Sequence, residues 1–227
     1  MVENSCEVKV KDDCKIMEIK SEKTNLIVKT TSLTMHIVSE YISPGDTVVD
    51  CTMGNGYDTL SLAEAVGCAD GRGAVYAFDI QQEALDATRI YLSEHGIADP
   101  ERTNIRLICD SHTEIDRYLA EVPGEISAFV FNLGFMPGRD KTIMTTEDPS
   151  LPAIKKAINL VKTGGIVSVM AYSGHKEGEA ECAAIYEFLK TLPSKKYHVA
   201  YVHMINQKKT APSLFLVTPK VEGRKPL

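Results

Sequence analysis

The chain has 227 residues, a formal net charge of −6, 44% hydrophobic and 25% charged residues. That length suits one domain, and the composition is that of an ordinary globular protein. Nothing approaches the ~18 apolar residues that a membrane helix needs, the mixed-charge start MVENSCEVKVKDD lacks the apolar core of a signal peptide, and the acidic balance excludes a protein that coats nucleic acid through a broadly basic surface. A cytoplasmic location is therefore expected. The six cysteines form no C-x-x-C pair, so buried thiols are expected and a structural zinc site or other metal is not.

Residues 1–29 are polar and aperiodic and read as an N-terminal extension to a domain spanning 30–227. Apolar residues at 33, 35, 37, 38 and 41 predict a helix, stopped by Ser43-Pro44-Gly45. Strands and helices then alternate. TVVDC is a buried strand and TLSLAEAVG a helix ending on Gly67; GAVYAFD is a strand, and QQEALDATRIYLSEHG a helix with Gly96 as its stop. NIRLIC is a strand followed by a helix through Ile115 and Leu119. ISAFVFNLG is a strand, PSLPAIKKAINLV a helix stopped by Gly164-Gly165, IVSVMAY a strand and EAECAAIYEFLK a helix. YHVAYVHMIN and SLFLVT follow without a helix between them and predict an antiparallel hairpin. Such alternation gives a doubly wound α/β domain with a mostly parallel sheet and one antiparallel C-terminal strand.

The first strand-to-helix turn is Asp50-Cys51-Thr52-Met53-Gly54-Asn55-Gly56. In an open parallel sheet, ligands bind beyond the carboxyl ends of the strands where the order reverses, and this turn lies there. Gly54 and Gly56 allow close backbone approach, and the helix beginning near Asp58 and Thr59 offers free N–H groups. The dinucleotide fingerprint G-x-G-x-x-G is broken, because Thr59 stands in place of the third glycine. Asp50 and Asp58 would repel a pyrophosphate. They suit a ligand with a cationic amino-acid end and no phosphate. Asp79, with Ile80 and Gln81, ends the second strand, where a carboxylate can accept both hydroxyls of a ribose. Asp110, Ser111 and His112 end the third, where an adenine amino group could be met. Aspartate at such positions also caps helices.

This pattern resembles the class I S-adenosylmethionine-dependent methyltransferases, over nearly the whole chain after residue 30. The resemblance implies a seven-stranded Rossmann-like sheet with an antiparallel last strand, and S-adenosylmethionine as cofactor. DCTMGNGYDT, YAFDIQ, FNLGFMPGRDKTIMTTEDPS, AYSGHKEGEAE and MINQKKTAPSLFLV, in that order, are similar to one narrower group, the rRNA methylase family that includes the tRNA 5-aminomethyl-2-thiouridine methyltransferases. This implies methylation of the exocyclic amine at the tRNA wobble position, with the anticodon stem-loop as partner; rRNA or a small molecule is the alternative acceptor.

The acceptor would be a primary amine, reactive only when neutral, so positioning and protonation govern the reaction. Asn132 at the end of the fourth strand, with Leu133 after it, can accept an amine N–H through its side-chain carbonyl. Many amine methyltransferases follow such an Asn with Pro-Pro-Tyr; here Leu133-Gly134-Phe135 follows. His175 can take the amine proton and Tyr172 can stack on a uracil ring. Phe135, Arg139, Lys141 and Lys208 are expected to contact the acceptor or its phosphates. A nicotinamide oxidoreductase and a non-catalytic nucleotide-binding module are competing readings; the broken fingerprint and Asp58 argue against the first. Apolar residues of the C-terminal hairpin serve a homodimer interface or a core equally well.

Overall fold

The computed structural model describes residues 29–120, 126–134, 147–174, 176–207 and 211–221. Seven strands form one sheet in the order β3-β2-β1-β4-β5-β7-β6: β1 (Thr47–Asp50), β2 (Ala74–Asp79), β3 (Ile105–Cys109), β4 (Ile126–Leu133), β5 (Val161–Ala171), β6 (Tyr197–Val202) and β7 (Ser213–Pro219). β1 to β5 pair in parallel, and β7 runs antiparallel to both β5 and β6, as the helix-free C-terminal connection predicts. The order reverses between β1 and β4. Their carboxyl ends therefore diverge into a crevice, with the glycine turn on one side and Asn132 on the other.

Six helices cover the two faces: α1 (Thr30–Ser39), α2 (Tyr57–Val66), α3 (Gln82–Glu94), α4 (Ile115–Tyr118), α5 (Glu147–Leu160) and α6 (Lys176–Lys190). One apolar layer joins Val48, Leu62, Val66, Leu92 and Ile105 beneath α1–α3; the other joins Phe129, Phe131, Ile154, Ile185 and Leu189 beneath α4–α6. A sheet buried on both faces explains the near-continuous apolar run of β4, where only Asn132 is not fully buried. No described helix is long and apolar enough to cross a membrane.

Two boundaries differ from the sequence reading. α2 begins at Tyr57 because Gly56, at φ 85°, caps it in the left-handed region. α5 ends at Leu160, before the glycines thought to stop it; Gly164 and Gly165 lie inside β5. There Val161 pairs with Ile126 and the register shifts before Ile166 meets Ala128. A Cβ on Gly165 would lie 2.5 Å from the Ser127 carbonyl oxygen, so close strand approach, and not helix termination, requires glycine there. The N-terminal extension lies outside the described residues, apart from Lys29.

Candidate active site

A cavity of about 690 Å³ opens over the carboxyl ends of β1, β2, β3 and β4. Its floor is the turn Thr52–Asn55, held from three sides. The Met53 amide donates to the Phe78 carbonyl at 2.9 Å, and the Gly56 amide to the Met53 carbonyl at 2.8 Å. From α3, the buried Thr88 hydroxyl donates to the Gly54 carbonyl at 3.2 Å. A Cβ on Gly56 would come within 3.0 Å of the Thr88 side chain, so this glycine lets α3 reach the turn.

Asp79 ties the second strand to the turn. Its Oδ2 accepts the Gly54 amide at 3.1 Å and its Oδ1 the Gln81 amide at 3.0 Å. Each carboxylate oxygen can accept a further bond, which leaves room for a pair of ligand hydroxyls on the cavity side. Burial raises the Asp79 carboxyl above its ordinary range, partly offset by these amides. Ile80, 62% exposed, and Gln81 extend this wall.

Asp110, Ser111 and His112 form the next part of the wall. The Asp110 Oδ2 accepts the Tyr118 hydroxyl at 2.9 Å and its Oδ1 the Ser111 amide at 2.8 Å. The Tyr118 bond chiefly holds its carboxyl below the usual range, so it stays ionised. His112 is buried, edge-on to Phe131, with Nδ1 3.1 Å from the Cys51 carbonyl. Burial lowers its pKa, so the ring is neutral and donates Nδ1–H to that carbonyl. His112 thereby braces the turn as well as lining the cavity.

Asp50, Gly56 and Thr59, expected to contact the ligand, lie behind the cavity wall. Asp50 ends β1 with its carboxylate turned inward and no exposure. Thr59, equally buried, donates its hydroxyl to Asp50 Oδ2 at 2.6 Å, and the Thr52 amide donates to Oδ1 at 3.1 Å. Burial, then the nearby Asp58 charge, pushes the Asp50 carboxyl up to about 7. Asp50 thus acts on the cavity through the turn that it holds and through its charge.

Asp58 does line the cavity, with Asn132, Leu133 and Tyr172 opposite the turn. The Asn132 backbone amide donates to the Thr52 hydroxyl at 2.7 Å, locking the end of β4 to the turn. Burial raises the Asp58 carboxyl, and the Asn132 side-chain amide beside it works the other way. The Tyr172 hydroxyl is also pushed up, first by burial and then by the Asp58 charge, so it stays protonated at neutral pH. Its ring lies over Gly134, where a Cβ would meet Tyr172 Cδ2 at 3.5 Å. His175, Phe135, Arg139, Lys141 and Lys208 lie outside the described residues.

The sequence reading missed one wall. Lys29, Thr31, Ser32 and Met35, from the start of α1, close the cavity, and Tyr57 and Ser61 of α2 complete it. Only the helical spacing of α1 marked that segment, and spacing does not say which end of a helix meets a ligand.

A seven-stranded sheet of this order, with β7 antiparallel and a cavity over the glycine turn, is the Rossmann-like methyltransferase fold. The family model described as "Putative rRNA methylase" matches residues 75–218, and the chain belongs to that family. It is 33% identical over 184 residues to an Arabidopsis thaliana tRNA (mnm(5)s(2)U34)-methyltransferase, chloroplastic. That match covers 79% of this chain and 65% of the plant protein, so the chain spans just under two-thirds of that relative. A Clostridium thermocellum structure described as a "putative rRNA-methylase" is similar at 34% identity and TM-score 0.77, covering 84% of this chain and 97% of that one. A Streptococcus mutans structure described as "a putative methyltransferase" in complex with SAH is similar at 32% identity and TM-score 0.71, covering 83% and 97% respectively.

Proposed function

We propose that this chain transfers the methyl group of S-adenosylmethionine to the exocyclic amine of 5-aminomethyl-2-thiouridine at the tRNA wobble position. The observation that carries this reading is the convergence, in one cavity, of an acidic glycine turn, Asp79 at the end of β2 and Asn132 at the end of β4. The residues fit the cofactor chemically. Asp58 and Asp79 face the cavity and Asp50 lies just behind it, an arrangement that suits a sulfonium and an ammonium and opposes a pyrophosphate. The S. mutans relative's SAH and the plant relative's stated tRNA position support the same cofactor and acceptor.

In this reading Asp79 holds the ribose hydroxyls, and Asp110, Ser111 and His112 flank the base. The turn Thr52–Asn55 and Asp58 face the amino-acid end. When bound, the cofactor supplies an electrophilic methyl. Asn132 supplies the polar contact: its side-chain carbonyl accepts an N–H of the neutral amine and aims the lone pair. Tyr172, held protonated, contributes a ring face and a donor and takes no proton. Proton removal falls to His175 or to water, and Phe135, Arg139, Lys141 and Lys208 are assigned to RNA contact. The reaction belongs in the cytoplasm with the tRNA pool.

Nucleoside mass spectrometry of tRNA from cells with and without the protein tests this. Cells lacking it should accumulate the aminomethyl nucleoside and lose the methylaminomethyl form. An unchanged wobble nucleoside together with a lost methyl group in rRNA would move the acceptor to rRNA.

A further inference from the structure

Residues 188–221 carry six lysines and two histidines and no acidic residue, in a chain whose net charge is −6. This segment is the end of α6 and the β6–β7 hairpin, and among the described residues β6 is the edge strand of the sheet. Lys195, Lys196, His198, Val199 and Ala200 are exposed along it. Among the described residues, Lys195, Lys196 and Lys220 form no ion pair, and the Lys220 amide donates to the Lys196 carbonyl at 2.8 Å, which places two of these lysines together.

The other end of β6 is aromatic. Tyr201, 48% exposed, stacks on His203 with ring centroids 6.0 Å apart and planes 6° from parallel, and Tyr186 of α6 meets it edge-on at 5.5 Å. His203 Nδ1 lies 3.4 Å from the Ser213 hydroxyl. Ser213 pairs with Ala171, and Ala171 with Leu133 of the cavity wall. The stacked pair thus stands on the same sheet edge as the active site, three strands away, roughly 14 Å at the usual strand spacing. From there β6, which carries no lysine or arginine, runs about 20 Å, one six-residue strand, to the basic cluster of Lys195, Lys196 and Lys220 at its amino end.

We propose that the β6 edge, from Lys195, Lys196 and Lys220 up to Tyr201 and His203, is a docking surface for the backbone of an RNA stem whose loop delivers the acceptor base to the cavity. The inference rests on the RNA methyl-transfer reading and extends it to a surface outside the cavity. Charge favours this occupant: clustered lysines without ion pairs among the described residues, at the amino end of the edge strand, complement a polyanion, and a stacked Tyr–His pair at its other end offers an unpaired base a face. The distance favours it as well, since one RNA hairpin can reach both places.

The test uses the full chain, S-adenosylmethionine and a short RNA stem-loop, with a single strand of the same composition as a second probe. The variant is Lys195→Glu/Lys196→Glu/Lys220→Glu, on side chains outside the cavity. Fluorescence anisotropy should show stem-loop affinity falling about tenfold or more near 0.1 M salt, and the salt slope shallower by about 2 to 3. The single strand should lose less, and S-adenosylmethionine affinity should not change. Stem-loop binding by the variant that matches the original chain in strength and salt slope would overturn the proposal. So would sedimentation showing that the lysines hold two copies of the chain together while RNA binding persists. Failure of the methyl-transfer reading looks different: the stem-loop would still bind along this edge, with no methyl transferred.

Discussion

The glycine turn, after the central strand β1, and the edge strand β6 solve opposite electrostatic problems. At the turn, Asp50, Asp58 and Asp79 crowd together, and among the described residues they bond to no basic side chain. Burial raises all three carboxyls, with Asp50 reaching about 7. At the amino end of β6 the charge is positive: Lys195 and Lys196 are exposed, and Lys220 lies beside them. A closed acidic pocket rewards a small cation that enters and relieves the repulsion. An open basic strip rewards a long anion that is never fully desolvated. The chain's acidic average hides this division.

The largest effect should come from Asp79→Ala. It removes the acceptor for the Gly54 amide and the proposed ribose contact together, so S-adenosylmethionine affinity should fall about 100-fold or more by calorimetry, at a cost of about 1–3 kcal/mol for each charged hydrogen bond lost. Unchanged affinity would show that the acidic pocket is not the cofactor's. Next is Asn132→Ala. Its kcat should fall about 100-fold with cofactor affinity nearly unchanged, as loss of a contact made to the reacting amine requires. A parallel loss of cofactor affinity would place Asn132 on the cofactor's side.

A pH series sharpens the contrast further. A bound cation favours ionised Asp50, so below pH about 7 binding must expel a proton. Cofactor affinity should therefore tighten as pH rises from about 6 to 8, up to roughly tenfold for one released proton, and calorimetry in buffers of different ionisation heat should detect that proton. The smallest effect is expected from Thr88→Val, which keeps shape but deletes the bond to the Gly54 carbonyl. Cofactor affinity should weaken a few-fold, on the order of 1 kcal/mol, and Thr88→Ser should restore it.

Most of the fold was legible because each strand is a short apolar run and each helix has its own period. The two boundary errors came from glycine. Gly56 starts a helix and Gly165 admits a neighbouring strand, and in sequence both look like simple breaks. At the site, Thr52 to Asn55 and Asp58 were visible from the glycine turn, and Asp79, Asp110 and Asn132 from their places at strand ends. Asp50 was visible as well, but not its direction: a strand's last side chain points to the ligand or to the core according to the pleat, and here Thr59 seals it inside. Thr88 and the α1 wall were illegible because their contacts cross 34 residues or more, or depend on how a helix crosses the sheet. The basic β6 edge could have been found by counting charges segment by segment.

The most direct measurement is methyl transfer from labelled S-adenosylmethionine to three acceptors: tRNA from cells lacking this protein, rRNA from the same cells, and no RNA. The label should appear in tRNA as 5-methylaminomethyl-2-thiouridine at the wobble position. Label confined to rRNA, or none in either RNA with the cofactor bound, would contradict the proposed acceptor.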